Sequence, residues 1–342
     1  MRDGAIEAVV PAQAGTQFPE YERVELPEHV VIPGLVNTHT RAALALMRGF
    51  PDERREAGEK RLLSPAFVRD GTALACAEML RGGITCFADR YFFPEAALEA
   101  AQHAGVRIVL GLLVQDEPSA YASDSYDYLS KGLDFRDRAG EHPLASFCLA
   151  PRPVSEPMLR QIAVFAEELD LPILAEAPID QLERAHLLGP GLTVINPSGA
   201  NEREMALLAR HACSVVHAGG PMKPGINVAL ATGDATRRLD LFAVMRSTGL
   251  PAHPALRAAT LGGARALGLG ASIGSIEAGK RADLVALALP GPCYDPVALL
   301  VHAADPQHVT HVWVDGELKD AAARLENRSQ VWQNAFESHA DS

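Results

Sequence analysis

Eight short apolar runs, each ending in a turn, constrain the fold of this chain more than any other feature. They are "VVIPGLVNT" (30–38), "ITCFADR" (84–90), "RIVLGLLV" (107–114), "ASFCLAP" (145–151), "PILAEAP" (172–178), "LTVINPS" (192–198), "SVVHAGG" (214–220) and "NVALATG" (227–233). They are nearly continuous in Val, Ile, Leu and Ala, the pattern of strands buried on both faces of a parallel sheet. Between several of them lie amphipathic helical stretches, such as "PAFVRDGTALACAEMLRGG", "PEAALEAAQHAGV", "EPMLRQIAVFAEELDL" and "NEREMALLARHAC". Eight strand–helix units in about 230 residues predict an α/β fold, a (β/α)₈ TIM-like barrel rather than an open doubly wound sheet. Only "AGGPMKPGI", with two prolines, separates His217 from Asn227. That is shorter than the dozen or so residues of a parallel crossover, so the barrel is expected to lack helix 7.

The ends of the chain alternate apolar and polar residues and read as strands: "AIEAVVPA" and "YERVELPEHV" at one end, "GSIEAGKRADLVALAL" and "HVTHVWVDGEL" at the other. The expected organisation is a small β-sandwich built from residues 1–30 and 271–320, a barrel over 31–270, and a C-terminal helix or tail over 321–342. A formal net charge of -12, with no dense Lys/Arg run, argues against nucleic acid and anionic membrane surfaces as partners. No apolar stretch reaches the roughly 20 residues of a membrane span. The start "MRDGAIEAVV" lacks the basic and apolar regions of a signal peptide, so a cytoplasmic protein is expected. The five cysteines, an odd number with no C-x-x-C pair, suggest neither a disulfide framework nor a zinc ribbon, and most read as small buried hydrophobes.

The segments "PGLVNTHT", "EMLRGGITCFADRYFFPEAALEAA", "LGGARALGLG", "IGSIEAGKRADLV" and "HVWVDGEL" occur in an order that resembles the amidohydrolase superfamily. Within it they are similar to the cytosine deaminase/chlorohydrolase branch, near the methylthioadenosine/S-adenosylhomocysteine deaminases. The resemblance covers nearly the whole chain and implies a barrel whose mouth holds a divalent metal, zinc or iron. In that pattern two histidines on strand 1, as H-x-H, a histidine each on strands 5 and 6, and an aspartate on strand 8 hold or assist the ion. A glutamate three residues after the strand 5 histidine moves protons. Such a metal generates hydroxide near neutral pH.

Laid on that pattern, His39 takes the first ligand position and Arg41 the second, where a guanidinium has no lone pair to offer. Glu176 falls at the strand 5 histidine, Ile179 at the proton-moving glutamate and Asn196 at the strand 6 histidine. Gly233 stands at the strand 8 aspartate, with Asp234 one residue late, and Arg152 replaces a substrate-binding histidine of strand 4. The loop after strand 1 is shortened to "PDERREAGEKRLLSP". His217 stays on strand 7.

These replacements lead to the expectation of a degenerate homologue with no metal or other cofactor and no deaminase or hydrolase turnover of the family type. It would act as a binding, regulatory or scaffolding protein and, by the resemblance, as a homodimer. No catalytic residue or metal ligand is assigned under that reading. Arg41, paired with Glu176, would supply the positive charge at the mouth. Arg41, Arg90, Arg152, Glu176 and Asn196 are the ligand-binding candidates, for a small anionic molecule, with a protein partner as the other expectation. The alternative is a divalent-metal-dependent deaminase or hydrolase of a nucleoside-like or other C–N substrate. There His39, Glu176 and Asp234 would hold one zinc or iron ion, and Asp234 and His217 would be the catalytic groups.

Overall fold

The computed structural model describes residues 1–11, 22–195, 197, 199–216, 225–289, 291 and 293–319. The apolar runs form β2 (Leu35–Arg41), β3 (Ile84–Asp89), β4 (Arg107–Val114), β5 (Ala145–Pro151), β6 (Ile173–Ala175), β7 (Leu192–Ile195) and β8 (Ser214–Val216). The eighth run is broken into β9 (Asn227–Ala229) and β10 (Gly233–Asp234). All are parallel, in the order β10-β2-β3-β4-β5-β6-β7-β8-β9. The break closes the ring: β9 pairs with β8, and β10 pairs with β2, setting Asp234 opposite Arg41. Fully buried Asn37 seals the join, donating to Thr232 Oγ1 at 2.8 Å and accepting from Thr232 N at 3.0 Å. The Thr38 hydroxyl adds a bond to the Leu230 carbonyl at 2.7 Å. The expected TIM-like barrel of parallel strands is thus present.

Strand alternation sorts the core in two. Val36, Cys86, Ala88, Val109, Cys148, Leu174, Ile195 and Val216 pack together inside the barrel with Ala264, Leu267 and Ile273. Leu35, Phe87, Ile108, Leu110 and Leu149 belong to the larger core under the helices. The helix Pro65–Arg81 starts where the Ser64 hydroxyl accepts from Phe67 N at 3.2 Å. The helix Glu202–Arg210 starts on a capping box between Asn201 and Glu204.

The remaining strands, β1 (His29–Pro33), β11 (Leu284–Ala288), β12 (Val309–Val314) and β13 (Glu317–Leu318), form an antiparallel sheet in that order. Both chain ends contribute to it: β1 pairs with β11, for example Val31 with Ala286. The expected absence of helix 7 falls on residues 217–224, outside the described residues, as does the expected tail over 321–342. Among the described residues no helix is long and apolar enough to cross a membrane. Cys76, Cys86, Cys148 and Cys213 are buried, as expected of most of the cysteines, and Cys293 is exposed.

Candidate active site at the barrel mouth

Every described candidate residue sits where a strand of the parallel sheet ends, on the face where barrels of this kind carry their chemistry. Arg41 closes β2, Arg90 follows β3, Arg152 follows β5, Glu176 follows β6 and Asp234 closes β10. Period-two alternation from Ala88, Cys148 and Leu174 carries Arg90, Arg152 and Glu176 onto the inner face. Asn196 and His217 lie outside the described residues.

The pairing differs from the expected Arg41–Glu176 bridge. Arg41 takes Asp234 instead, through Nε to Oδ1 at 2.5 Å and Nη2 to Oδ2, and its Nη1 lies 3.5 Å from Glu59 Oε1. The reason is register: β10 sets Asp234 directly beside Arg41, so the residue that reads as one position late is the one the guanidinium meets. Burial opposes the charge on Arg41, but the paired carboxylate outweighs it and raises the pKa. Asp234 is likewise partly desolvated, yet its bonds to Arg41 hold it below the usual carboxylate range. Glu176 pairs with Arg90, Oε2 to Nη2 at 2.7 Å, and the same oxygen is 3.9 Å from Arg152 Nε.

His39 stands among these charges. Its pKa is lowered to about 3, first by burial and then by Arg90, so the imidazole is neutral at physiological pH. Its Nδ1 is buried without a hydrogen-bond partner among the described residues. Ile179 is buried at the start of the helix Ile179–Arg184 and brings no carboxylate to the mouth.

Three neighbours are not singled out by the sequence. Glu59 arrives on the helix Asp52–Leu62, formed by the segment that reads as a shortened loop, and accepts from the Tyr91 hydroxyl at 2.8 Å. Burial and then Glu59 raise the Tyr91 pKa. Gln115, just past β4, accepts from Arg152 Nη1 at 3.3 Å. The position of Tyr91 and Gln115 directly after strands is the available signal, and their residue types alone do not distinguish them. A cavity of about 410 Å³ opens here, lined among others by Arg41, Glu59, Leu63, Phe92, Gln115 and Arg152. It offers an apolar wall beside alternating charges, a suitable shape for a flat, polar-edged molecule.

A family-type metal finds a poor donor set in this arrangement. The unpartnered Nδ1 of neutral His39 is a competent ligand, but Asp234 has both oxygens on Arg41 and Glu176 is engaged by Arg90. Among the described residues no three His, Cys, Asp or Glu side chains converge on one point. The triad of His39, Glu176 and Asp234 does not fit a metal ion as placed, because guanidinium groups hold both of its carboxylates.

Comparison with known proteins bears on both functional expectations. The 5-methylthioadenosine/S-adenosylhomocysteine deaminase of Teredinibacter turnerae is 33% identical over 400 aligned positions, 96% of this chain and 89% of the relative. The protein of the same name from Saccharophagus degradans is 33% identical, covering 95% of this chain and 87% of the relative. A crystal structure of an adenosine deaminase from Xanthomonas campestris with bound zinc superposes with a TM-score of 0.88 at 30% identity, over 98% of this chain and 92% of that one. The zinc-complexed atrazine chlorohydrolase TrzN of Arthrobacter aurescens TC1 shares the fold, with a TM-score of 0.78 at 19% identity.

The expectation of a non-catalytic binding or scaffolding homologue is overturned by these likenesses, because the proteins that match almost end to end are named as deaminases. The expectation that no metal is involved is overturned with it, since the matching deaminase structure holds zinc. Residues 30–183 and 217–319 match the amidohydrolase family over well more than half of the chain, and with relatives at this identity over nearly its whole length, the chain belongs to that family.

Proposed function

We propose that this chain is a hydrolase of the deaminase type, acting on the exocyclic C–N bond of a nucleoside-like substrate at the barrel mouth. The observation that carries this reading is the end-to-end likeness to proteins named 5-methylthioadenosine/S-adenosylhomocysteine deaminase. The mouth is compatible with it. The cavity beside Phe92 and Leu63 accommodates a planar base, and Glu59, Gln115 and Arg152 line its polar edge.

The groups available for proton movement are His39, neutral and able to accept, and Glu176, whose side chain is 45% exposed at the mouth. Hydrolytic deamination needs a water proton removed and the leaving ammonia protonated. Glu176 is placed to hold the first, and Arg90 and Arg152 to stabilise negative charge that develops beside it. When a divalent metal is bound in an enzyme of this class it supplies activated water.

The test is ammonia release from 5′-methylthioadenosine, S-adenosylhomocysteine and adenosine, measured on protein as purified and after incubation with zinc or iron(II), alongside elemental analysis. Turnover of at least one substrate is expected, reduced at least 10-fold in Glu176→Gln. No ammonia from any of them under either condition would overturn the proposal.

A further inference from the structure

We propose that Arg90 and Arg152 form an anion seat inside the barrel mouth, occupied by the chain's own Glu176, and that a carboxylate or phosphate of a small ligand takes its place. This rests on the reading of the mouth as a substrate pocket and deepens it by naming a charge the substrate or product carries.

Arg90 is 2% exposed, and its Nε and Nη1 are buried with no hydrogen-bond partner, leaving Glu176 on Nη2 as its acceptor among the described residues. A buried guanidinium with donors unmatched is a group awaiting acceptor oxygens. Arg152, its side chain 29% exposed, brings a second guanidinium to the same place, with Gln115 Oε1 at 3.3 Å and the shared Glu176 oxygen at 3.9 Å. Two positive groups therefore divide one carboxylate oxygen. Arg41, by contrast, has its fork filled by both oxygens of Asp234 and has Glu59 beside Nη1. The imbalance is local to Arg90 and Arg152, and neutral His39 does not offset it.

The wall is shaped for this placement. Gly111, on the inner face of β4, lies under the Arg90 stem: a Cβ there would fall 2.8 Å from Arg90 Cγ and 3.0 Å from the Ala150 Cβ. Glycine and alanine at these positions let the guanidinium lie across the barrel. Glu176 differs from its partner in exposure, 45% against 1% for the Arg90 side chain, so the carboxylate is the movable member of the pair and the guanidinium the fixed one. An incoming oxyanion reaches Arg90 through the space Glu176 vacates, and it gains charge-assisted bonds of the same kind.

The consequence is competition: Glu176 lowers the apparent affinity for any anion that uses the seat, and removing its charge raises it. Calorimetric titration with inorganic phosphate and with acetate, neither of them a substrate, tests this without turnover and so independently of ammonia release. Glu176→Gln is expected to bind one of these anions at least 5-fold more tightly than the parent protein, and Arg152→Ala at least 5-fold more weakly. Tighter phosphate marks a phosphorylated ligand, and tighter acetate a carboxylate one. Because Arg90 is buried and its replacement threatens folding, partly exposed Arg152 carries the loss-of-binding arm. Unchanged or weaker binding in Glu176→Gln, unchanged binding in Arg152→Ala, or no heat in any of the three proteins would overturn the seat.

Discussion

Asp89 and Arg90 are consecutive, and strand alternation sends them opposite ways, Arg90 into the barrel and Asp89 toward the turn that follows β2. There Asp89 Oδ1 accepts from Ala42 N at 2.8 Å, and the residue is 3% exposed. Burial pushes its carboxyl up to about 7, against the opposing pull of that bond and of Arg41. The unfolded chain ionises this group near 3.8, so between there and about 7 the unfolded state releases the proton first and folding stability falls as pH rises; above about 7 the loss is complete. Asp89→Asn keeps an acceptor for Ala42 and cannot ionise. The variant is therefore expected to gain on the parent protein steadily from pH 5 to about pH 7 and to hold that gain at pH 8, at about 1.4 kcal/mol per unit over the rising part. Urea midpoints of the two proteins that run parallel across that range would refute it. At this scale the sequence shows which residue types end each strand but not their partners. Arg41 and Glu176 are expected from the sequence to meet, yet partner choice follows the register of β10, where a two-residue strand decides whether Asp234 or a neighbour faces Arg41. The inward direction of Arg90, Arg152 and Glu176 is readable, because it follows from the period of two alone.

The helix Pro65–Arg81 is legible from its periodicity, while its glycine at position 71 reads in isolation as a defect, costing roughly 1 kcal/mol against alanine. The structure gives the reason for it. A Cβ on Gly71 would lie 2.1 Å from the Ala43 carbonyl oxygen, in the 3₁₀ turn Ala42–Met47 that follows β2. The helix thus lies directly against backbone that cannot rotate away, and the turn beneath it carries the chain from Arg41 toward the mouth. Gly71→Ala is expected to destabilise by about 1–2 kcal/mol, the overpacking strain of about 1–3 kcal/mol exceeding the propensity gained. A chemical denaturation midpoint equal to or above that of the parent protein would show that the turn yields. The helix Asp52–Leu62 escapes a sequence reading for the opposite reason. Its sequence is almost wholly polar, with Gly58 its buried residue, so no apolar stripe announces it, yet it delivers Glu59 to Tyr91 and Arg41.

Across the whole molecule, the barrel and the antiparallel sheet are joined by a charged knot that sequence order conceals, since its members lie far apart along the chain. Arg107, at the start of β4, donates through Nε and Nη2 to the two oxygens of Asp283 at 2.9 and 3.0 Å, and through Nη1 to the Pro143 carbonyl at 2.8 Å. Asp283, immediately before β11, also accepts from Asp315 N at 2.8 Å, and Asp315 in turn pairs with Arg281. The motif around "GKRADLV" therefore ties the second sheet to the barrel wall, which explains its place among the family-like segments without any part in the chemistry. Because the side chains of Arg107 and Asp283 are 8% and 1% exposed, removing one partner strands the other charge away from water. Asp283→Ala is expected to cost about 3–5 kcal/mol, and the double replacement Arg107→Met with Asp283→Leu less than that single change, because no unpaired charge is left behind. Equilibrium denaturation of the parent, single and double variants separates the two contributions. A double variant as unstable as Asp283→Ala would mean that the knot is irreplaceable as geometry, the bidentate fork fixing the sheet against the barrel in a way apolar packing of similar volume does not.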